Sequence, residues 1–179
     1  MILARWRSRR ANRVLIEQIH DEIVAAARAP ELYSRWNVPD TFDGRFEMVV
    51  LHAGLPMRRL AELGDVGAEI AQELVDCVFR HLEDALREMA IGDAGVIKRM
   101  KGMIESFHGR NRVYAESLGA TDAEALAGAL ARNVYAAPGA EGEAHVRDLA
   151  QYVRRLAAAF ADLGLAEFSG GEFRYPREA

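Results

Sequence analysis

HLEDALREMAIGDAGVIKRMKGMIESFHGRNRVY, His81 to Tyr114, is the stretch whose reading decides the fold. Apolar residues recur at helical spacing on both sides of Gly92-Asp93: Leu82, Ala85 and Met89 before it, then Val96, Ile97, Met100, Met103, Ile104 and Phe107 after it. Gly92 terminates the first segment and Asp93 can cap the second. The first segment is acidic, through Glu83, Asp84 and Glu88. The second carries Lys98, Arg99, Lys101, Arg110 and Arg112 against a single acid, Glu105. Two helices of opposite charge around a defined turn, without catalytic grammar, suggest a docking surface rather than a pocket. The plainer alternative is that the two solvated faces pair with each other, at little energy per pair.

Helical periodicity continues outward in both directions. Ala11 to Ala29 carries a stripe of Leu15, Ile19, Ile23 and Ala27, widened by Ile16 and Val24, and Pro30 stops it. Glu31 to Asp40 is a connector in which Trp36 is expected to plug the core. Asp40 or Thr41 can cap a second helix through Phe46 and the contiguous Val49, Val50 and Leu51, which marks it as central. Pro56 is expected to end or kink that helix, with a break from Gly64 to Gly67. Ala68 to Met89 is a long helix. The helix after Asp93 continues or bends at Gly109, and Gly119 closes it. Thr121 and Glu124 read as a capping box before Leu126, Leu130 and Val134. Ala144 to Leu165 is the last long helix, and Gly170-Gly171 between Phe168 and Phe173 is a hairpin signal. The fold class expected is all-α: one domain of about six to seven helices over residues 11–166, a basic arm at 1–10, and a tail at 167–179 with a short C-terminal hairpin.

The totals agree with this and exclude several functions. A chain of 179 residues fits one domain with one core. Its abundant alanine and five prolines favour helix over strand. A net charge of −4 argues against a dedicated DNA binder. The one cysteine, Cys77, cannot form an intramolecular disulfide, and it reads as a small buried hydrophobe among Leu74, Val75 and Val78. No uncharged apolar run is long enough for a transmembrane segment. The opening MILARWRSRRANR holds five arginines and no apolar h-region, so it does not read as a secretory signal.

Phosphate loops, dinucleotide fingerprints, nucleophile elbows and zinc cysteine patterns do not occur in the sequence. One metal constellation is worth weighing. Glu17-Gln18-Ile19-His20 and Glu105-Ser106-Phe107-His108 are both Glu-x-x-His, the spacing that di-iron helical bundles use. The order of motifs departs from that pattern, however, because the first helix already carries the first motif. His52, His81 and His145 are scattered. The expectation is therefore no catalytic residues, no metal and no cofactor.

The stretch resembles the ubiquinol–cytochrome c chaperone family, assembly factors of the respiratory bc1 complex. The residues that carry the likeness are Asp76, Phe79, Leu82, Asp84, Leu86, Arg87 and Glu88, then Ile91-Gly92-Asp93, Val96, Lys98, Met100, Lys101, Gly109, Arg110 and Tyr114. Upstream, Asp40 to Glu47 and Val49-Val50-Leu51-His52 also resemble bacterial members. His108 stands where the family often has tyrosine, which counts against a histidine ligand there. The resemblance implies a non-enzymatic chaperone that binds newly made cytochrome b or its assembly intermediate. It further implies a bacterial, cytoplasmic relative, peripheral at the inner face of the membrane, with a small co-chaperone and the ribosome as further partners. The interaction surface expected is Asp84, Glu88, Asp93, Lys98, Lys101, Arg110, Arg112 and Tyr114, with Met89, Met100 and Met103 as core filling beside it. The alternatives are a di-iron oxidoreductase and a generic helical adaptor.

Overall fold

The computed structural model describes residues 2–89, 91–170 and 173–176, with side chains from residue 12 onward. Eight helices and no strand occur among the described residues: α1 (Ile2–Ala27), α2 (Pro30–Ser34), α3 (Phe42–Ala61), α4 (Gly64–Glu88), α5 (Asp93–Gly119), α6 (Ala125–Asn133), α7 (Ala144–Ala161) and α8 (Leu165–Ser169). The all-α expectation is met.

α3 is the centre of the bundle, packed against α1, α4, α5 and α7. Its buried residues lie all round the helix: Phe46, Met48, Val50, Leu51, Ala53, Leu55, Met57 and Leu60. A helix apolar on every side must be covered on every side. Thr41 starts it, its hydroxyl accepting from the Gly44 N–H at 3.1 Å. α1 lays Ile16, Ile19, Ile23 and Ala27 against this core, and α7 contributes Val146, Leu149, Val153, Leu156 and Phe160. Each of the larger side chains among these contributes about 1.5–3 kcal/mol through burial. Trp36 is buried, as its size predicts.

Several boundaries differ from the sequence reading. Residues 1–10 were expected as an arm, but the helical backbone of α1 begins at Ile2. Pro30 opens α2, because proline's missing N–H costs nothing in a first helical turn. α3 runs unbroken through Pro56. The break expected at Gly64 to Gly67 falls earlier, at Glu62 and Leu63: Gly64, with φ of +81°, already begins α4. α5 passes straight through Gly109, so there is no corner at Gly109-Arg110. The expected Thr121–Glu124 box is absent: Glu124 is the N-cap residue of α6 without a side-chain cap, and Asp122 Oδ1 accepts from the Glu124 N–H at 2.9 Å in the turn before it.

The C-terminal hairpin is also corrected. Phe168 lies in α8, and residues 173–176 form no strand. Gly171 of the expected turn lies outside the described residues. The aromatic residues explain the difference: Phe168 and Phe173 stack at 5.2 Å, and Tyr175 meets Phe160 edge-on at 5.1 Å. Burial on the bundle decides this segment, not strand pairing.

Candidate functional site

The stretch His81–Tyr114 forms the end of α4, the turn at Gly92 and most of α5. Its two charged faces do not neutralise each other. Asp84 and Glu88 are exposed on α4, and neither has an ion pair among the described residues. Asp93 is held by Arg87, 3.0 Å away, and Arg87 also grips Glu83 at 2.7 Å. That pairing fixes the turn and leaves the cations of α5 without acidic partners on α4.

Those cations divide between two faces, because 3.6 residues per turn separates them. Lys98 and Arg110 reach one groove, joined by Arg99 and by Arg132 from the end of α6. The groove has a volume of about 720 Å³ and lies between the start of α3, α5 and the end of α6. Lys101 and Arg112 lie on the outward side of α5, with the exposed Ile97 and Ile104. Among the described residues, Arg112 approaches the acid Glu116 alone, at 4.0 Å.

Tyr114 is a correction. Its side chain is 4% exposed and belongs to the core, so it cannot touch a partner from the surface. Positions 96, 103, 107 and 114 follow the apolar periodicity of α5 and are all buried. Burial pushes the Tyr114 hydroxyl well above its ordinary range, and nearby Glu47 adds to the effect. The methionines divide similarly: Met103 is buried, Met100 is half-buried and Met89 is exposed.

The groove has an apolar side and a charged side. Phe42 and Met103 supply the apolar surface, and Gly95 and Gly102 leave α5 bare of side chains there. A Cβ at Gly102 would meet nothing, so the opening is not filled by the protein itself. The Arg99 guanidinium lies 5.3 Å from the Phe42 ring centroid, a cation–π contact that holds it at the rim. Beneath, Arg110 Nε approaches buried Glu47 Oε2 to 2.7 Å. The N–H is poorly aligned with that oxygen, so the contact is chiefly one of charge. Burial pushes the Glu47 carboxyl up to about 7, while Arg110 pulls it the other way. Four cations against Asp43 and Glu47 leave the groove net positive. Such a cleft suits an acidic partner with apolar surface.

Sequence reasoning missed Arg132, Phe42 and Glu47, and it named Arg99 among the cations of the segment without placing it in the interaction surface. Phe42 and Glu47 lay within the stretch that carries the family likeness, but only the fold brings them against α5. The di-iron constellation does not assemble. Glu105 is exposed, and His108 packs edge-on to Phe79 and Phe107, with ring centroids 5.9 and 5.6 Å away. Glu17 and His20 meet Cys77 and His81 of α4 instead.

An all-helical bundle with a cationic, partly apolar groove has the character of a protein-binding module. The chain belongs to the ubiquinol-cytochrome C chaperone family, whose sequence pattern it matches over residues 34–175. It is similar to the Cbp3 homolog from Brucella abortus, known from a crystal structure. The two share 36% identity with a TM-score of 0.83, over 99% of this chain and 97% of that one. None of the curated proteins matches the chain. Membership of a chaperone family favours a non-enzymatic role.

Proposed function

We propose that this protein is an assembly chaperone of the respiratory bc1 complex that binds newly made cytochrome b, with the groove beside α5 as its principal contact. The observation that carries this reading is the convergence of Lys98, Arg99, Arg110 and Arg132 on the apolar surfaces of Phe42 and Met103, in a chain of the chaperone family. A membrane subunit awaiting its partners exposes apolar helix surface beside charged loops, and the groove offers a complement to both. Asp84 and Glu88 near the end of α4, and Asp93 at the start of α5, are proposed to contact basic segments of the same client.

No helix among the described residues is long and apolar enough to cross a membrane. We place the protein at the cytoplasmic side of the membrane, meeting its client peripherally. The outward side of α5, with Lys101, Arg112, Ile97 and Ile104, is left for a second contact, the small co-chaperone or the ribosome.

A photocrosslinker at position 98 tests the reading in membranes from cells making the respiratory chain. Cytochrome b is the expected adduct, and deletion of the gene should reduce both cytochrome b and the assembled complex. Normal accumulation of both after deletion would make the protein a generic adaptor.

A further inference from the structure

On α1, Glu17 and His20 are three residues apart and share a face. On α4, Cys77 and His81 are four apart and share a face. α1 and α4 pack together, and one ligand atom from each of the four residues falls within 4.8 Å of all the others. We propose that Glu17, His20, Cys77 and His81 form a binding site for a divalent transition metal of zinc's kind, clamping α1 to α4.

The donor set fits that chemistry. One thiolate, two imidazoles and one carboxylate are the nitrogen, sulfur and oxygen ligands that zinc takes in tetrahedral sites. The metal–ligand lengths of such sites, about 2.0–2.3 Å, set neighbouring donors roughly 3.3–3.8 Å apart. Two of the spacings are already at or below that scale: His81 Nε2 is 2.8 Å from Glu17 Oε2, and Cys77 Sγ is 3.6 Å from the same oxygen.

The surroundings also match a site. Cys77 and His20 are buried while His81 is exposed, which leaves one open side for a metal to arrive. Nδ1 of His20 is buried without a hydrogen-bond partner, and Asp21 Oδ1 stands 3.6 Å from it. The His20 and His81 rings lie side by side across the α1–α4 seam, with centroids 4.0 Å apart. Arg80 holds the other oxygen of Glu17 at 2.6 Å and orients it, the role that outer partners play around metal ligands. A thiol binds such a metal as thiolate, so coordination at Cys77 would release its proton. None of the four residues lines the groove, so the inference does not depend on the client reading.

Cobalt(II), followed by zinc(II), tests the proposal on the full chain after treatment with a chelator. One equivalent of cobalt should give the intense d–d bands of tetrahedral geometry together with a thiolate-to-cobalt charge-transfer band, and zinc should abolish both. Cys77→Ser should remove the charge-transfer band. His81→Ala, at an exposed position, should keep the helical circular dichroism but weaken zinc binding at least about tenfold. His145→Ala should bind as the wild type does. Substoichiometric binding, a spectrum without the charge-transfer band, or unchanged affinity in His81→Ala would each overturn the proposal.

Discussion

The hydroxyl of Tyr175 donates to the backbone carbonyl of His52 at 3.0 Å. That carbonyl lies four residues before Pro56, which has no N–H to offer it. The C-terminal segment thus repairs the one hydrogen bond that proline removes from the central helix. This is how α3 runs unbroken through Pro56, and why the tail is part of the core.

Tyr175→Phe should lower stability by about 1–3 kcal/mol, the cost of a buried acceptor left unpaired. In a Pro56→Ala background the alanine N–H can take the carbonyl, so the same change should cost clearly less. Urea unfolding of the four combinations measures the coupling, and additive costs would rule the relationship out.

His52 itself gives the fold a pH dependence. It is fully buried, with Nδ1 2.7 Å from the Met48 carbonyl and Nε2 2.8 Å from the Tyr152 hydroxyl. Burial lowers its pKa from 6.5 to about 4. The folded protein therefore binds fewer protons than the unfolded chain between those values, and stability falls as pH drops through that window. The loss amounts to about 3 kcal/mol by pH 4. Unfolding midpoints of the wild type and His52→Gln between pH 7 and 4 should converge on acidification, since the variant lacks the titrating ring.

Glu47 works in the opposite direction. Its pKa is raised from 4.5 to about 7, so its contribution is full below pH 4.5 and lost as pH rises through 7. Removing its counter-ion exposes this. Arg110→Ala should destabilise by about 3 kcal/mol at pH 8, where a buried carboxylate is left unpaired. At pH 5 the carboxyl is protonated and the penalty should shrink. Equal penalties at both pH values would mean the pair is not coupled.

The division of the α5 cations predicts two classes of variant. Lys98→Glu with Arg99→Glu should weaken client capture by about tenfold or more, with a smaller salt dependence of the remaining binding. Lys101→Glu with Arg112→Glu should change it by no more than about twofold. All four side chains are exposed, so the helical signal should be unaffected. Quantitative crosslinking to the client compares the pairs, and equal losses would move the contact to the outward face.

Much of the bundle was legible because helix periodicity is local. The stripe Val96, Met103, Phe107 in α5 needs only a turn of 3.6 residues, and the contiguous apolar run in α3 needs only to be covered. The misread boundaries depended on partners distant in the chain. Pro56 is tolerated because of Tyr175, and Phe168 is helical because its ring stacks on Phe173 beside Phe160. Tyr114 read as a surface residue because position in a charged segment says nothing about which way a side chain faces.

By itself, the sequence determined the helical class, the central place of α3, the charge of the two segments around Gly92 and the family likeness, since each is a matter of residue type and spacing along the chain. The tertiary structure decided which cations share a groove, that Glu47 lies beneath them, and that Glu17 and His20 of α1 face Cys77 and His81 of α4. The physical reason is that charge, hydrogen bonding and metal ligation act over a few ångströms of space, and residues 60 or more positions apart reach that distance only when helices pack.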